Sequence, residues 1–204
     1  MERHLSDFKL FPKLILYNMN VNLYDVLKAG YSNKKDQSTR LKKNGYNFDE
    51  NLSNHNQQVY FNPSNKKMIF NVTGTHNFRD VGTDLYLAAG KLKDTNRYKE
   101  ADKKFKEAKL KYHPSNTSVV GNSLGGTIAG YIGGRDDKII THNKGSTIGQ
   151  KMRPNETHYR VQNDLVSLLN ANSKHTKTVK NTNWLKDPYN SHLVDTIKNN
   201  KIFV

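Results

Sequence analysis

The chain has 204 residues, 34% of them hydrophobic, and its 33 lysines and arginines outnumber 18 acidic residues for a formal charge of +15. Such a length suits one domain, and the lack of any cysteine removes disulfide frameworks, thiolate zinc sites and cysteine nucleophiles. Lysine far outnumbers arginine and asparagine is abundant, a pairing that codon bias alone produces, so the charge is poor support for a nucleic-acid partner.

The longest apolar run near the start, Leu14 to Tyr17, is too short for a signal-peptide core or a spanning helix. The expectation is a soluble chain without leader or membrane span, cytoplasmic or associated with a virus particle. Residues 1–57 read as a polar N-terminal arm lying on the surface, with one amphipathic helix through Val21, Leu23, Tyr24, Val26 and Leu27. Two apolar runs, Gln58 to Phe61 and Met68 to Val72, flank the turn-rich Asn62-Pro63-Ser64-Asn65 and predict a β-hairpin.

Tyr98, Ala101, Phe105, Ala108 and Tyr112 then recur at helical steps among lysines, predicting a helix with one buried stripe that His113-Pro114 stops. Thr117 to Val120 reads as a buried strand, Leu124 to Ile132 as a helix, and Lys138 to Thr141 and the segment around Tyr159 to Val161 as further strands. A terminal helix is expected through Leu193 and Ile197. Strands alternating with helices imply an α/β fold with a mostly parallel sheet, whose chemistry sits where strands end and helices begin.

Directly after the Val119-Val120 strand stands Gly121-Asn122-Ser123-Leu124-Gly125, a GxSxG pattern between a strand and a helix. A serine on so sharp a turn needs small residues two before and two after it, and Gly121 and Gly125 meet that need. The helix start also aims free N–H groups at any oxyanion forming there. The hydroxyl requires a base and the base an orienting acid, in the order Ser, Asp, His. Asp164, after the Tyr159 to Val161 strand, and His192, before the last apolar segment, fit that order.

The rivals fit less well. His4, His55 and His113 precede the serine, His158 opens a strand at the far end, His142 lines the pocket, and His175 lies in a polar loop. Asp136 and Asp137 precede a strand, while Asp187 and Asp195 stand close to His192 in sequence.

On these residues the chain resembles the class 3, fungal-type lipase family of α/β-hydrolases. Phe70 to Thr75 is similar to the strand and RGT turn that supplies the oxyanion hole there, Arg79 to Leu85 to a D-W…DL segment, and Gly121 to Gly126 to the GHSLGG elbow. His142 to Gly149 stands where the family has FGSPRVG, and Tyr159 to Val166 looks like its RVVN-x-x-DIVP block. The likeness runs from about Gln58 to His192. Asn122 replaces a histidine, Thr73 an arginine, and Ser167 a proline-rich turn.

The resemblance implies an α/β-hydrolase fold with helices flanking the sheet and a minimal lid. It makes Ser123 the nucleophile, Asp164 the acid, His192 the base, and the backbone amides of Thr75 and Leu124 the oxyanion hole. It implies a lipase or esterase acting on a lipid ester with no cofactor and no metal, and the positive charge adds an expected peripheral contact with anionic membranes. Nucleic acid is disfavoured as a partner. The compact, lysine- and asparagine-rich chain is also similar to lipase-like proteins of some DNA viruses, hence the expected virus particle. The alternative is an inactive lipase-like fold serving as a basic structural, virion, nucleic-acid-binding or membrane-binding protein.

Overall fold

A computed structural model of the chain describes residues 21–75, 91–145, 150–180 and 193–204. Seven strands form one sheet in the order of the sequence: β1 (Asn47–Phe48), β2 (Gln57–Asn62), β3 (Lys67–Val72), β4 (Asn116–Asn122), β5 (Lys138–His142), β6 (Glu156–Val161) and β7 (Thr176–Val179). The first two pairings are antiparallel and the four from β3 to β7 are parallel. The expected hairpin is β2–β3, with Gln57 opposite Val72 and Asn62 opposite Lys67.

Among the described residues four helices cover the sheet: α1 (Leu23–Gly30), α2 (Lys34–Thr39), α3 (Asn96–Tyr112) and α4 (Leu124–Ile132). Successive strand side chains point to opposite faces, and the core divides accordingly. On one face Val59, Met68, Phe70, Val72 and Val119 pack with Ala101, Phe105 and Ala108 of α3 and Ile128 of α4. On the other, Tyr60, Ile69, Val120, Ile140 and Val161 pack with Leu23, Val26 and Leu27 of α1 and with Val194 and Ile197. A fully buried side chain of this size contributes roughly 1.5–3 kcal/mol, and a sheet apolar on both faces needs both layers.

The arm expected on the surface is therefore corrected over its described part. Val21, Leu23, Val26, Leu27 and Ala29 are buried, and α1 forms much of the second layer. Asn22 caps α1 through its side chain, which accepts from the Tyr24 N–H at 2.9 Å. The C-terminus then ties the helix down: Leu23 donates to the Ile202 carbonyl at 2.7 Å and Val204 to that of Val21 at 2.9 Å. The stretch reads as polar because only one stripe of α1 faces inward, and its partners lie at the far end of the chain.

In α3 the Thr95 side chain caps the start and Ala101, Phe105 and Ala108 form the buried stripe. His113 ends it in the left-handed region at φ 42°, and Pro114 bars continuation. The nine residues of α4 include only one that is not buried, as suits a helix packed between sheet and α3. Two strands escape the sequence reading. β1 has only two residues, and β7 is a polar edge strand whose side chains give no alternation signal. The expected terminal helix is a short 3-10 turn, Val194–Ile197.

Candidate active site

β4 ends at Asn122, Ser123 sits at φ 54° and ψ −124°, and α4 begins at Leu124. A non-glycine residue there is strained by about 1–3 kcal/mol, a cost the surroundings must impose. They do so sterically. A Cβ at Gly121 would overlap the Gly125 backbone, and one at Gly125 would overlap the carbonyls of Val72 and Thr73. The Ser123 N–H donates to the His142 carbonyl at 3.0 Å, anchoring the turn to the end of β5.

The Ser123 side chain is buried, and its Oγ has no hydrogen-bond partner among the described residues. A buried hydroxyl left unpaired costs about 1–3 kcal/mol. Strain and an unpaired polar group at one residue are what a stability argument disfavours and a reactive site uses. The start of α4 has no side-chain cap, so its first N–H groups and the positive end of its dipole face the same turn.

The β3 exit lies against this turn. At Gly74 an added Cβ would stand 2.9 Å from the Ser123 Cβ and 2.9 Å from the Asn122 carbonyl oxygen. The Gly74 N–H donates to the Tyr31 hydroxyl at 2.7 Å, and the Asn122 amide Nδ2 donates to the same oxygen at 2.9 Å. Burial pushes the Tyr31 phenol above its ordinary range, so it stays a neutral hydroxyl at working pH. On the other side Arg97 Nη2 donates to the Thr73 carbonyl and, at 3.0 Å, to the Gly74 carbonyl. Thr75 follows directly, and Leu124 opens α4 on the opposite side of Ser123 in sequence.

Behind the serine, the Asn122 Oδ1 meets His142 Nδ1 at 2.7 Å. An amide oxygen only accepts, so Nδ1 carries the proton. Asn122, where the resemblance leads one to expect histidine, thus links β5 to Tyr31 at the end of α1. Thr73, in the place of an arginine, gives its hydroxyl to the carbonyls of His55 and Asn56 at 2.9 Å each.

Asp164 lies three residues past β6, at the same carboxyl edge of the parallel strands, and is buried. Its Oδ2 accepts the Ser167 N–H at 2.8 Å and also the Ser167 hydroxyl, while Arg160 Nη2 binds its backbone carbonyl at 3.1 Å. Ser167, where the resemblance leads one to expect a proline-rich turn, thus binds this carboxylate. His192, with Asp187, lies outside the described residues, as do Arg79 to Leu85, residues 146–149 and His4. The described residues bring Ser123, Leu124 and the turn before Thr75 together, and set Asp164 on the same edge of the sheet.

The rival groups have other employment. Asp137 holds Lys109 and the Gly134 N–H at 2.7 Å each, and Asp195 binds Tyr24 at 2.9 Å and Lys28 at 2.8 Å. His113 caps α3. His158 stands within β6 rather than at its opening, with Nδ1 3.0 Å from Thr141 Oγ1. Burial, helped by the charge of Lys144, lowers its pKa from 6.5 to about 3, which keeps it neutral. Beside it Lys144 and Glu156 form a buried ion pair at 2.6 Å.

Sequence reasoning missed Tyr31, Arg97 and Ser167. Arg97 alone carried a signal, as the one arginine in a helix whose other basic residues are lysines. Among the described residues no group of three or more His, Asp or Glu side chains could hold a metal ion, and no helix is long and apolar enough to cross a membrane.

No protein-family model matches the chain, and no curated sequence does. Solved structures do. A mutant form of MDLA from Penicillium cyclopium is 14% identical, with 78% of this chain covering 77% of that one at a TM-score of 0.50. Rhizomucor miehei lipase, in its propeptide complex, is 14% identical over 73% of this chain and 62% of its own, with TM-score 0.47. Lip2 lipase from Yarrowia lipolytica is 18% identical at TM-score 0.39, and the chain spans about half its length, 54%. The fold is α/β-hydrolase, a mostly parallel seven-stranded sheet with flanking helices, and its structural neighbours include fungal lipases.

Proposed function

We propose that the chain is a serine hydrolase of carboxylic esters, a lipase or esterase, with Ser123 as nucleophile, His192 as base and Asp164 as the acid that orients it. The observation that carries the reading is Ser123 itself: a buried hydroxyl without a partner among the described residues, held at φ 54° on a strand-to-helix turn between two obligate glycines. Asp164, buried and bound by Ser167 at the same edge of the sheet, supports it as a carboxylate able to accept from a histidine.

In this reading His192 takes the Ser123 proton as Oγ attacks the ester carbonyl. The N–H groups of Thr75 and Leu124 hold the tetrahedral oxyanion, and His192 gives the proton to the departing alcohol. Water, deprotonated by His192, then attacks the acyl-serine, and the acid leaves as Ser123 regains its proton. Lipid esters are the substrate class, glycerides or phospholipids. The +15 charge favours an anionic lipid surface, each basic residue near it contributing on the order of 1 kcal/mol before screening.

The test is hydrolysis of a short-chain p-nitrophenyl ester series and of phospholipid vesicles, with covalent labelling by a fluorophosphonate. Turnover should fall at least 10⁴-fold in Ser123→Ala and in His192→Ala, and label should attach to Ser123 alone. An ester-inert wild type, or turnover indifferent to Ser123, would give the fold to the non-catalytic alternative.

A further inference from the structure

The turn between β3 and Thr75 is pinned from two sides by residues that the hydrolase reading does not use. In a trans peptide the C=O and the N–H point in opposite directions. In the Thr73–Gly74 peptide the carbonyl goes to Arg97 and the N–H goes to the Tyr31 hydroxyl, so both ends are fixed. In the next peptide, Gly74–Thr75, the carbonyl again goes to Arg97, at 3.0 Å, and the Thr75 N–H is thereby turned the other way, away from α3. Gly74 is meanwhile close-packed on Ser123, where a Cβ would stand 2.9 Å from the serine's own.

We propose that Arg97 is a positioning residue for the oxyanion hole: gripping both carbonyls of the Thr73–Gly74 pair, with the Tyr31 hydroxyl as opposing strut, it sets the direction of the Thr75 N–H. This rests on the hydrolase reading. An oxyanion donor is useful only if it is already aimed at where the charge develops, because reorienting it during the reaction forfeits the gain. The backbone ladder reaches the Thr73 N–H, which donates to the Asn56 carbonyl at 2.9 Å, and glycine loosens the turn beyond it. The charged guanidinium supplies the stiffness. Both bonds come from one nitrogen, Nη2, whose N–H groups are held in the guanidinium plane, whereas a lysine ammonium turns freely on a flexible stem. Thr95 caps the helix start from which Arg97 projects, giving the side chain a fixed base.

The experiment measures kcat and KM for p-nitrophenyl butyrate, and the affinity of an oxyanion-forming trifluoromethyl ketone, in the full chain and in Arg97→Gln and Arg97→Lys. It is run at 10 °C, with circular dichroism selecting folded samples. Arg97→Gln should lose about a hundredfold in kcat with KM within about threefold, and the ketone affinity should fall in parallel, as when an oxyanion donor is impaired. Arg97→Lys, which keeps the charge but not the planar Nη2 donor, should recover about tenfold of that loss. Wild-type kcat in either folded variant, or a loss confined to KM, overturns the proposal. The two readings fail differently. If the wild type is inert, or as active as Ser123→Ala, the hydrolase reading falls and takes this inference with it. If Ser123→Ala is dead while the Arg97 variants match the wild type, only this inference falls.

Discussion

The turn from β4 into α4 and the turn leaving β3 meet at Ser123 and are built by opposite means. The first is fixed by backbone: a Cβ at Gly121 would strike the Gly125 backbone, one at Gly125 would strike the carbonyls of Val72 and Thr73, and the Ser123 N–H is tied to the His142 carbonyl. The second borrows its geometry. Gly74 is held by Tyr31, 43 residues earlier, and by Arg97, 23 residues later, with Asn122 closing the network from β4. A turn fixed by backbone contacts survives loss of any distant side chain. A borrowed one can be adjusted, or disabled, from α1 or α3 without touching the serine.

The largest expected effect sits in the sheet row that carries the backbone-fixed turn, where Gly121 pairs with Thr141 and Thr141 with His158. The folded-state pKa of His158 lies near 3 against an ordinary 6.5, so between those values the unfolded chain binds more protons. Stability should therefore be intact above pH 6.5 and fall as pH drops toward 3, by up to about 5 kcal/mol. Urea unfolding at stepped pH reads this, and His158→Gln should flatten the slope in that window. A slope unchanged by the substitution would remove His158 as its origin.

The two turns themselves should differ under the same insult. Gly125→Ala drives a methyl into the fixed carbonyls of Val72 and Thr73 and should cost about 3 kcal/mol or more in urea unfolding. Gly74→Ala meets the Tyr31 hydroxyl at 2.7 Å and the Asn122 carbonyl oxygen and Ser123 Cβ at 2.9 Å, a shallower overlap than at Gly125, and should cost about 2 kcal/mol. Equal costs would erase the contrast between them.

A smaller and sharper probe is Asn122→Ala. It leaves His142 Nδ1 without its Asn122 partner and removes one of the donors to Tyr31, so a loss of about 1–2 kcal/mol in unfolding free energy is expected. Since the backbone-fixed turn needs nothing from the Asn122 side chain, the fluorophosphonate should still label Ser123 at a rate within about tenfold of the wild type. Loss of labelling with the fold retained would show that the β4 turn too depends on its neighbours.

What could be read in the chain follows the same division. The hairpin, the α3 stripe with its His113-Pro114 stop, the β4–α4 turn and Asp164 after β6 are all encoded by residues a few positions apart, so periodicity and spacing find them. The burial of α1 was not legible, because its apolar stripe is short and its cover, Ile202 and Val204, lies at the other end of the chain. β7 was not legible because an edge strand in a parallel sheet needs only backbone pairing with β6, which its Thr-Lys-Thr-Val side chains do not advertise.

By itself, then, the sequence determined the α/β class, most of the strands and helices, and the local strain at Ser123, since these depend on chain-local sterics and hydrophobic period. Only the tertiary structure decided how Thr73, Asn122 and Ser167, each a departure from the family pattern, are used. Buried polar groups must be satisfied, and a hydrogen bond acts over about 3 Å whatever the separation in sequence. The partners of Asn122 and of the Thr73–Gly74 turn, Tyr31, His142 and Arg97, come from α1, β5 and α3, and no spacing rule on one stretch of chain names them.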